Sequence, residues 1–288
     1  MNYRHIYHAG NFADVFKHAV LTLLVERLKD KPAAFCVLDT HAGAGLYDVE
    51  SPEAQKTGEF ARGFGQLGLG REAGQGGLPA ELAPYVAAVR AANPGGGLRF
   101  YPGSPRLVRA LLRPQDRLVA CELHPEDAAS LKRLLARDPQ VQVHRRDGYE
   151  ALGALLPPRE KRGLVLIDPP FEEPGERRQV AQALARAHAR WPQGVYAIWY
   201  PIKSEAEARL FHGELANTGI RRQLAAEMTV RAGGDPAALN GCGMAVVNPP
   251  FRLEATLAGV LPELHARLAA EGGTRVAWLV KEQGPVAE

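Results

Sequence analysis

The chain has 288 residues, 46% hydrophobic and 23% charged, an ordinary globular composition with enough apolar material for one large α/β domain carrying an inserted subdomain. Its formal net charge of +3 permits a nucleic-acid partner without requiring one. Three scattered cysteines (Cys36, Cys121, Cys242) form no C-x-x-C pair, and no apolar leader or membrane-length run is present. A thiolate zinc site, a redox dithiol and a membrane span are therefore excluded, and a soluble, cytoplasmic protein with no membrane contact is expected.

The chain opens on Tyr3-Arg4-His5-Ile6-Tyr7-His8-Ala9-Gly10-Asn11, followed by Asp14, Lys17 and His18. Aromatic, imidazole and cationic groups at this density suit stacking on bases and contact with phosphates. A polar lid packed over a sheet is the plainer alternative. His5, His8 and His18 match no standard zinc spacing and lack a completing acid, so no metal is expected. A helical pattern over 16–29 leads into a buried strand over 35–39, which ends in Asp39-Thr40-His41-Ala42-Gly43-Ala44-Gly45. The glycines let backbone approach a ligand closely, although a tight strand-to-helix turn would use the same residues. A dinucleotide fingerprint wants a third glycine where Asp48 stands, which argues against a nicotinamide or flavin oxidoreductase.

From 47 to 97 the rhythm breaks. Glycine recurs over 63–77 and a helical run covers 79–92, which reads as an insertion with short helices and a mobile loop. Tyr101-Pro102-Gly103-Ser104-Pro105 then looks like a tight loop before a helix, with Ser104 as its expected cap. Strands follow at 118–122, 141–144, 164–168 and 196–200, with helical patterns at 126–137, 176–190 and 204–217. Pro125 and Ser204 stand at plausible helix starts. A sixth strand-like segment covers 223–230, then come a strand at 244–247, a helix at 253–270 and a strand at 276–280. Apolar runs of this kind suit strands covered on both faces, and their alternation with helices implies a doubly wound α/β fold with a mostly parallel sheet. Its ligand should lie beyond the carboxyl ends of the strands. The expected organisation is an N-terminal segment and core start at 1–46, an inserted helical subdomain with a Gly-rich loop at 47–97, and the remaining core at 98–288.

Four successive strands each deliver a polar or acidic group to that edge. Glu122 ends the second, where an acid can accept hydrogen bonds from ribose hydroxyls. Asp147-Gly148 follows the third, with an acid placed to meet an adenine amino group. The fourth ends in Asp168-Pro169-Pro170-Phe171. An exocyclic amine of adenine is a poor nucleophile because its lone pair is delocalised into the ring. A carboxylate and a backbone carbonyl can each accept one of its N–H bonds, pulling the nitrogen towards tetrahedral geometry. Asp168 is the candidate acceptor or base, Pro169 the candidate carbonyl held rigid by the prolines, and Phe171 a stacking platform. A near-copy, Asn248-Pro249-Pro250-Phe251, comes late and directly before a helix, so Asn248 is expected to act as a helix N-cap.

These residues together resemble the bacterial 23S ribosomal RNA adenine-N6 methyltransferases of the J type. The likeness is carried by Tyr3-Arg4-His5, His8-Ala9-Gly10-Asn11, Asp14, Lys17-His18, the Asp39-to-Gly45 turn, Tyr101-Pro102-Gly103-Ser104-Pro105, Glu122-Leu123-His124-Pro125, Asp147-Gly148, Ile167-Asp168-Pro169-Pro170, Trp199-Tyr200-Pro201 and Asn248-Pro249-Pro250. It implies a Rossmann-like class I methyltransferase fold with a small inserted helical subdomain, using S-adenosylmethionine on 23S RNA that is protein-free or in early assembly. It further implies that His18, His41, Gly43, Ser104, Glu122, Asp147, Gly148 and Asp168 hold or adjoin the cofactor, and that Tyr3, Arg4, His5 and Lys17 meet the RNA. Phe171 stands where the family pattern has Tyr, which keeps the stacking face and loses a hydroxyl. A monomer is expected. The competing readings are an adenine-N6 DNA methyltransferase, a protein glutamine methyltransferase and a non-catalytic RNA-binding protein; the intact Asp168 motif argues against the last.

Overall fold

The computed structural model describes residues 4–69, 77–231 and 238–282. Asn11 starts the first helix, α1 (Phe12–Leu28), by accepting a hydrogen bond from the Asp14 amide, four residues earlier than apolar periodicity alone predicts. The chain then runs β1 (Cys36–Asp39), β2 (Leu46–Asp48), α2 (Pro52–Thr57), α3 (Ala83–Ala91), β3 (Phe100–Pro102), α4 (Ser104–Leu111), β4 (Arg117–Glu122), α5 (Pro125–Leu134), β5 (Val141–Arg145), α6 (Gly148–Leu155), β6 (Gly163–Ile167), α7 (Glu176–Arg190), β7 (Val195–Ile202), α8 (Glu205–Ala216), β8 (Gln223–Thr229), β9 (Gly241–Val247), α9 (Leu253–Leu268) and β10 (Gly273–Val280).

Eight strands form one sheet in the order β10-β8-β9-β7-β6-β1-β4-β5. Strands β5, β4, β1, β6 and β7 are parallel, joined through helices. β9 runs antiparallel to both β7 and β8, and β10 antiparallel to β8. The sheet is thus mostly parallel, as expected, and its strands change direction at this end while β8 and β9 stay buried. The stretch between β8 and β9 is too short for the crossover that a parallel return needs, so β9 comes back antiparallel.

Alternation along the strands splits the core. Val37, Leu118, Ala120, Leu164 and Leu166 point to the face covered by α1, α4, α5 and α9. Cys36, Leu38, Val119, Cys121, Val165 and Ile167 point to the face covered by α6, α7 and α8. All three cysteines are buried and free.

The segment after β1 leaves and rejoins the core through a two-stranded antiparallel ladder, with Tyr47 opposite Tyr101. These strands carry too few residues to show as apolar runs in the sequence. Between them lie α2, capped by Ser51, short 3-10 turns at Glu59–Arg62 and Phe64–Leu67, and α3. The glycine-rich stretch expected as a mobile loop is packed through residue 69. The Phe64 amide donates to the Gly10 carbonyl, and Phe64, Leu67 and Leu69 are buried. The rest of that stretch, 70–76, lies outside the described residues.

Candidate active site

Parallel strands place their carboxyl ends at one edge, and there the ends of β1, β4, β5, β6 and β7 surround a cavity of about 1030 Å³. His5, Lys17, His18, His41, Gly43, Ser104, Glu122, Asp147, Gly148, Asp168, Pro169 and Phe171 all line it. Arg4 does not; it closes the rim through ion pairs to Glu126 (3.0 Å) and Asp127 (3.5 Å) in the first turn of α5. Tyr3 lies outside the described residues.

The Glu122 carboxylate ends β4 and is fixed from both sides. It accepts the Gly43 amide at one oxygen (2.7 Å) and the His124 amide at the other (2.7 Å). Burial pushes its pKa up, against these amide bonds. Gly43 has φ +63°, and an added Cβ would meet the Tyr47 hydroxyl at 2.2 Å, so this turn needs glycine. Gly148 is closed in by the Thr40 carbonyl and the His41 ring. Asp147 caps α6, its Oδ1 accepting from the Tyr149 and Glu150 amides.

Ser104 is not the cap that the sequence suggests. Gly103 occupies the position before α4, and the Ser104 hydroxyl donates instead to Asp39 Oδ2 (2.6 Å) at the cavity wall. Asp39 is fully buried; burial raises its pKa to about 7, with the Ser104 bond opposing. His18 lines the cavity from α1, its Nδ1 paired with the Tyr101 hydroxyl (2.8 Å). Its buried Nε2 has no partner among the described residues, and burial lowers its pKa to about 3. His41 is likewise held neutral, at about 4, by burial. Its Nδ1 pairs with the Thr40 hydroxyl (2.7 Å).

At the end of β6, Asp168 Oδ2 takes an ion pair from Lys17 Nζ at 2.6 Å. The same ammonium meets Asp14 Oδ1 at 2.9 Å, one turn back on α1. Asp14 also accepts from His5 Nε2 (2.9 Å) and the Gly10 amide (2.9 Å). Burial opposes the Lys17 charge, but the two carboxylates outweigh it and hold the lysine protonated. Lys17, expected to meet the RNA, is buried and paired with Asp168 on the cavity wall: α1 packs directly on the sheet and turns this side chain inward. The i,i+3 spacing of Asp14 and Lys17 was the available clue. Phe171 has φ +54°, an unusual backbone for an aromatic residue. Its ring packs against Trp199 (6.0 Å) and Phe211 (5.9 Å). Trp199 was not among the sequence candidates for the site, although the end of β7 belongs to the same edge by topology.

The second proline motif faces away. β9 pairs Val247 with Tyr196 near the start of β7, so Asn248 emerges at the opposite edge. Nor is Asn248 the expected N-cap, because α9 begins at Leu253 after Arg252. Asn248 has φ +53°, and its Nδ2 donates to the carbonyls of Pro192 (2.7 Å) and Gly194 (2.8 Å).

Among the described residues, no group of three or more His, Cys, Asp or Glu side chains could hold a metal ion, and no helix is long and apolar enough to cross a membrane. Residues 32–280 match the family described as "Ribosomal RNA large subunit methyltransferase D, RlmJ". The chain is 42% identical over 284 residues to the ribosomal RNA large subunit methyltransferase J of Escherichia coli, covering 98% of this chain and all of that one. It is 41% identical over 285 residues to the protein of the same name from Haemophilus influenzae, again over 98% of this chain and all of the other. The crystal structure of a Legionella pneumophila protein superposes with a TM-score of 0.85 at 33% identity, covering 94% of this chain and 98% of that one. Motif, fold and full-length likeness agree: this chain belongs to the ribosomal RNA large subunit methyltransferase J family.

Proposed function

We propose that this chain transfers a methyl group from S-adenosylmethionine to the N6 amine of an adenine in 23S ribosomal RNA, acting as a monomer on protein-free or early-assembly RNA. The observation that carries the reading is the Asp168-Pro169-Pro170-Phe171 turn at the cavity floor, with Lys17 on one carboxylate oxygen. The cytoplasm is the corresponding place of action.

The residues present fit the cofactor. Glu122, held by two backbone amides, presents a fixed acceptor to ribose hydroxyls. The unpartnered Nε2 of neutral His18 awaits a polar ligand group. Gly43 and Gly148 keep backbone close to the cavity, and His41, Ser104 and Asp147 complete the wall. When bound there, S-adenosylmethionine supplies an electrophilic methyl group on a positively charged sulfur.

Asp168 acts on the acceptor amine. Lys17 occupies Oδ2 and leaves Oδ1 to accept one amine N–H; the Pro169 carbonyl accepts the other. The nitrogen lone pair is thereby released from the ring and aimed across the cavity. Lys17 is a positioning residue, fixing and neutralising the carboxylate, and Asp14 fixes Lys17. Phe171, braced by Trp199 and Phe211, gives the base a stacking face. His5, bonded to Asp14, and Arg4, paired with Glu126, tie residues 4–5 to the cavity rim, and Tyr3 is proposed to meet the RNA.

Labelled S-adenosylmethionine offered in parallel with protein-free 23S RNA, assembled ribosomal particles and duplex DNA tests the reading. Label in N6-methyladenine of the free RNA, absent with Asp168→Ala, is the expected result. Preference for DNA, or label elsewhere than N6, overturns it.

A further inference from the structure

The cavity extends past Asp168 along β7. Trp199, Pro201 and Lys203, spaced two residues apart, all line it, as does Arg231 just beyond the end of β8. β7 and β8 both run antiparallel to β9, so their carboxyl ends emerge together at the cavity edge. The two ends are tied. The Asn240 amide donates to the Ile202 carbonyl (3.1 Å) and its side chain to the Lys203 carbonyl (2.8 Å), while the Val230 amide donates to the Asn240 carbonyl (2.8 Å). Lys203 and Arg231 are exposed, and neither has an acid partner among the described residues.

Charge is uneven around the cavity, and Glu172 and Glu176 line it just after Phe171. The wall from β1, β4 and β5 carries Glu122, Asp147 and, on α5, Asp127. The wall from β7, β8 and the end of α9 carries two cations and no carboxylate among the described residues. The acidic wall suits a cofactor with ribose hydroxyls, an amine and a positive sulfur. The basic wall suits phosphodiesters, and Trp199 between it and Asp168 offers an indole face. The four residue steps from Trp199 to Lys203, just past the end of β7, span about 13 Å, longer than the target base alone requires.

Resting on the methyl-transfer reading above, we propose that this lobe is a subsite for the RNA strand flanking the target adenosine. Lys203 and Arg231 bind its backbone phosphates, and Trp199 stacks on the neighbouring nucleotide. This places the strand on the β7–β8 side of the cavity, opposite the cofactor.

The test is the double variant Lys203→Ala/Arg231→Ala, assayed on unmodified 23S RNA transcript beside wild type and Asp168→Ala. The expected result is a KM for RNA raised at least tenfold, kcat within twofold of wild type, and unchanged S-adenosylmethionine affinity by calorimetry. The slope of log RNA affinity against log salt should shrink by about 1.4, from two single-strand phosphate contacts. The charge-conserving pair Lys203→Arg/Arg231→Lys should restore both values. Unchanged KM and salt slope in the alanine pair overturn the subsite, as does an equal loss in the charge-conserving pair. RNA binding by filter retention separates the two proposals. A wild type that binds the transcript without methylating it sinks the activity reading, while the salt slope of the variant still decides the subsite.

Discussion

Two turns of nearly the same composition sit at opposite edges of one sheet. Asp168-Pro169-Pro170-Phe171 follows a parallel strand and lines the cavity, its acid paired with Lys17 and its ring packed on Trp199 and Phe211. Asn248-Pro249-Pro250-Phe251 follows an antiparallel strand, its amide ties a loop at residues 192–194, and Phe251 is 82% exposed. Nearly the same four residues thus serve as chemistry in one place and as a brace in the other, with the left-handed residue last in the first turn (Phe171) and first in the second (Asn248). The difference is strand direction, which decides which edge a turn reaches.

The largest expected effect tests the chemical half of this contrast. Asp168→Ala removes the amine acceptor and should lower kcat by about 10²–10⁴-fold, as for loss of a positioned proton acceptor. It leaves a buried lysine with Asp14 alone, so Asp168→Asn, which keeps the volume and one oxygen, is the companion variant. Both should still bind S-adenosylmethionine; turnover at wild-type rates in either would leave the motif without a chemical role.

The bracing half is tested on stability. Asn248→Ala loses two hydrogen bonds to backbone carbonyls and puts a Cβ-bearing residue without a local partner at φ +53°, a combined cost of about 2–3 kcal/mol in denaturant unfolding. Asn248→Gly should cost less, because glycine accepts that φ freely. Turnover of the folded variants should match wild type; a dead but fully folded Asn248→Gly enzyme would reverse the assignment of the two turns.

Acid sharpens the comparison, because His18 lies only at the cavity edge. Its native pKa is near 3, well below the ordinary 6.5, so the unfolded chain binds a proton that the folded one refuses. Stability from neutral burial is full above 6.5 and declines as pH falls from there towards 3. Between pH 7.5 and 5, wild type should lose about 2 kcal/mol more than His18→Asn, roughly 1.4 kcal/mol per pH unit below 6.5. Parallel stability curves for the two proteins would mean that His18 is protonated in the fold.

The smallest effect belongs to the exposed ring. Phe251→Ala should change stability by no more than about 0.5 kcal/mol and leave turnover unchanged. Phe171→Ala should lower kcat/KM several-fold. Equal effects from the two would mean that the rings do equivalent work.

Much of this was legible in the sequence. The apolar runs at 35–39, 118–122 and 164–168 had to be buried strands, and the polar groups after them had to share an edge once the strands were parallel. Glu122, Asp147 and Asp168 could therefore be named as neighbours from spacing alone. What stayed hidden depended on partners distant in sequence. Lys17 meets Asp168 across 151 positions, and Ser104 meets Asp39 across 65. The short ladder of β2 with β3 left no hydrophobic signature, and the antiparallel return of β9 reads like any other buried strand.

By itself, then, the sequence determined the long strands and most of the helices, the two-faced core and the set of polar groups available, because period and side-chain chemistry are local properties. The tertiary structure alone decided that Lys17 turns inward, that Ser104 serves Asp39 rather than a helix end, and that one proline turn faces the cavity while its near-copy does not. Those outcomes follow from strand direction and helix packing, which no short stretch of chain encodes.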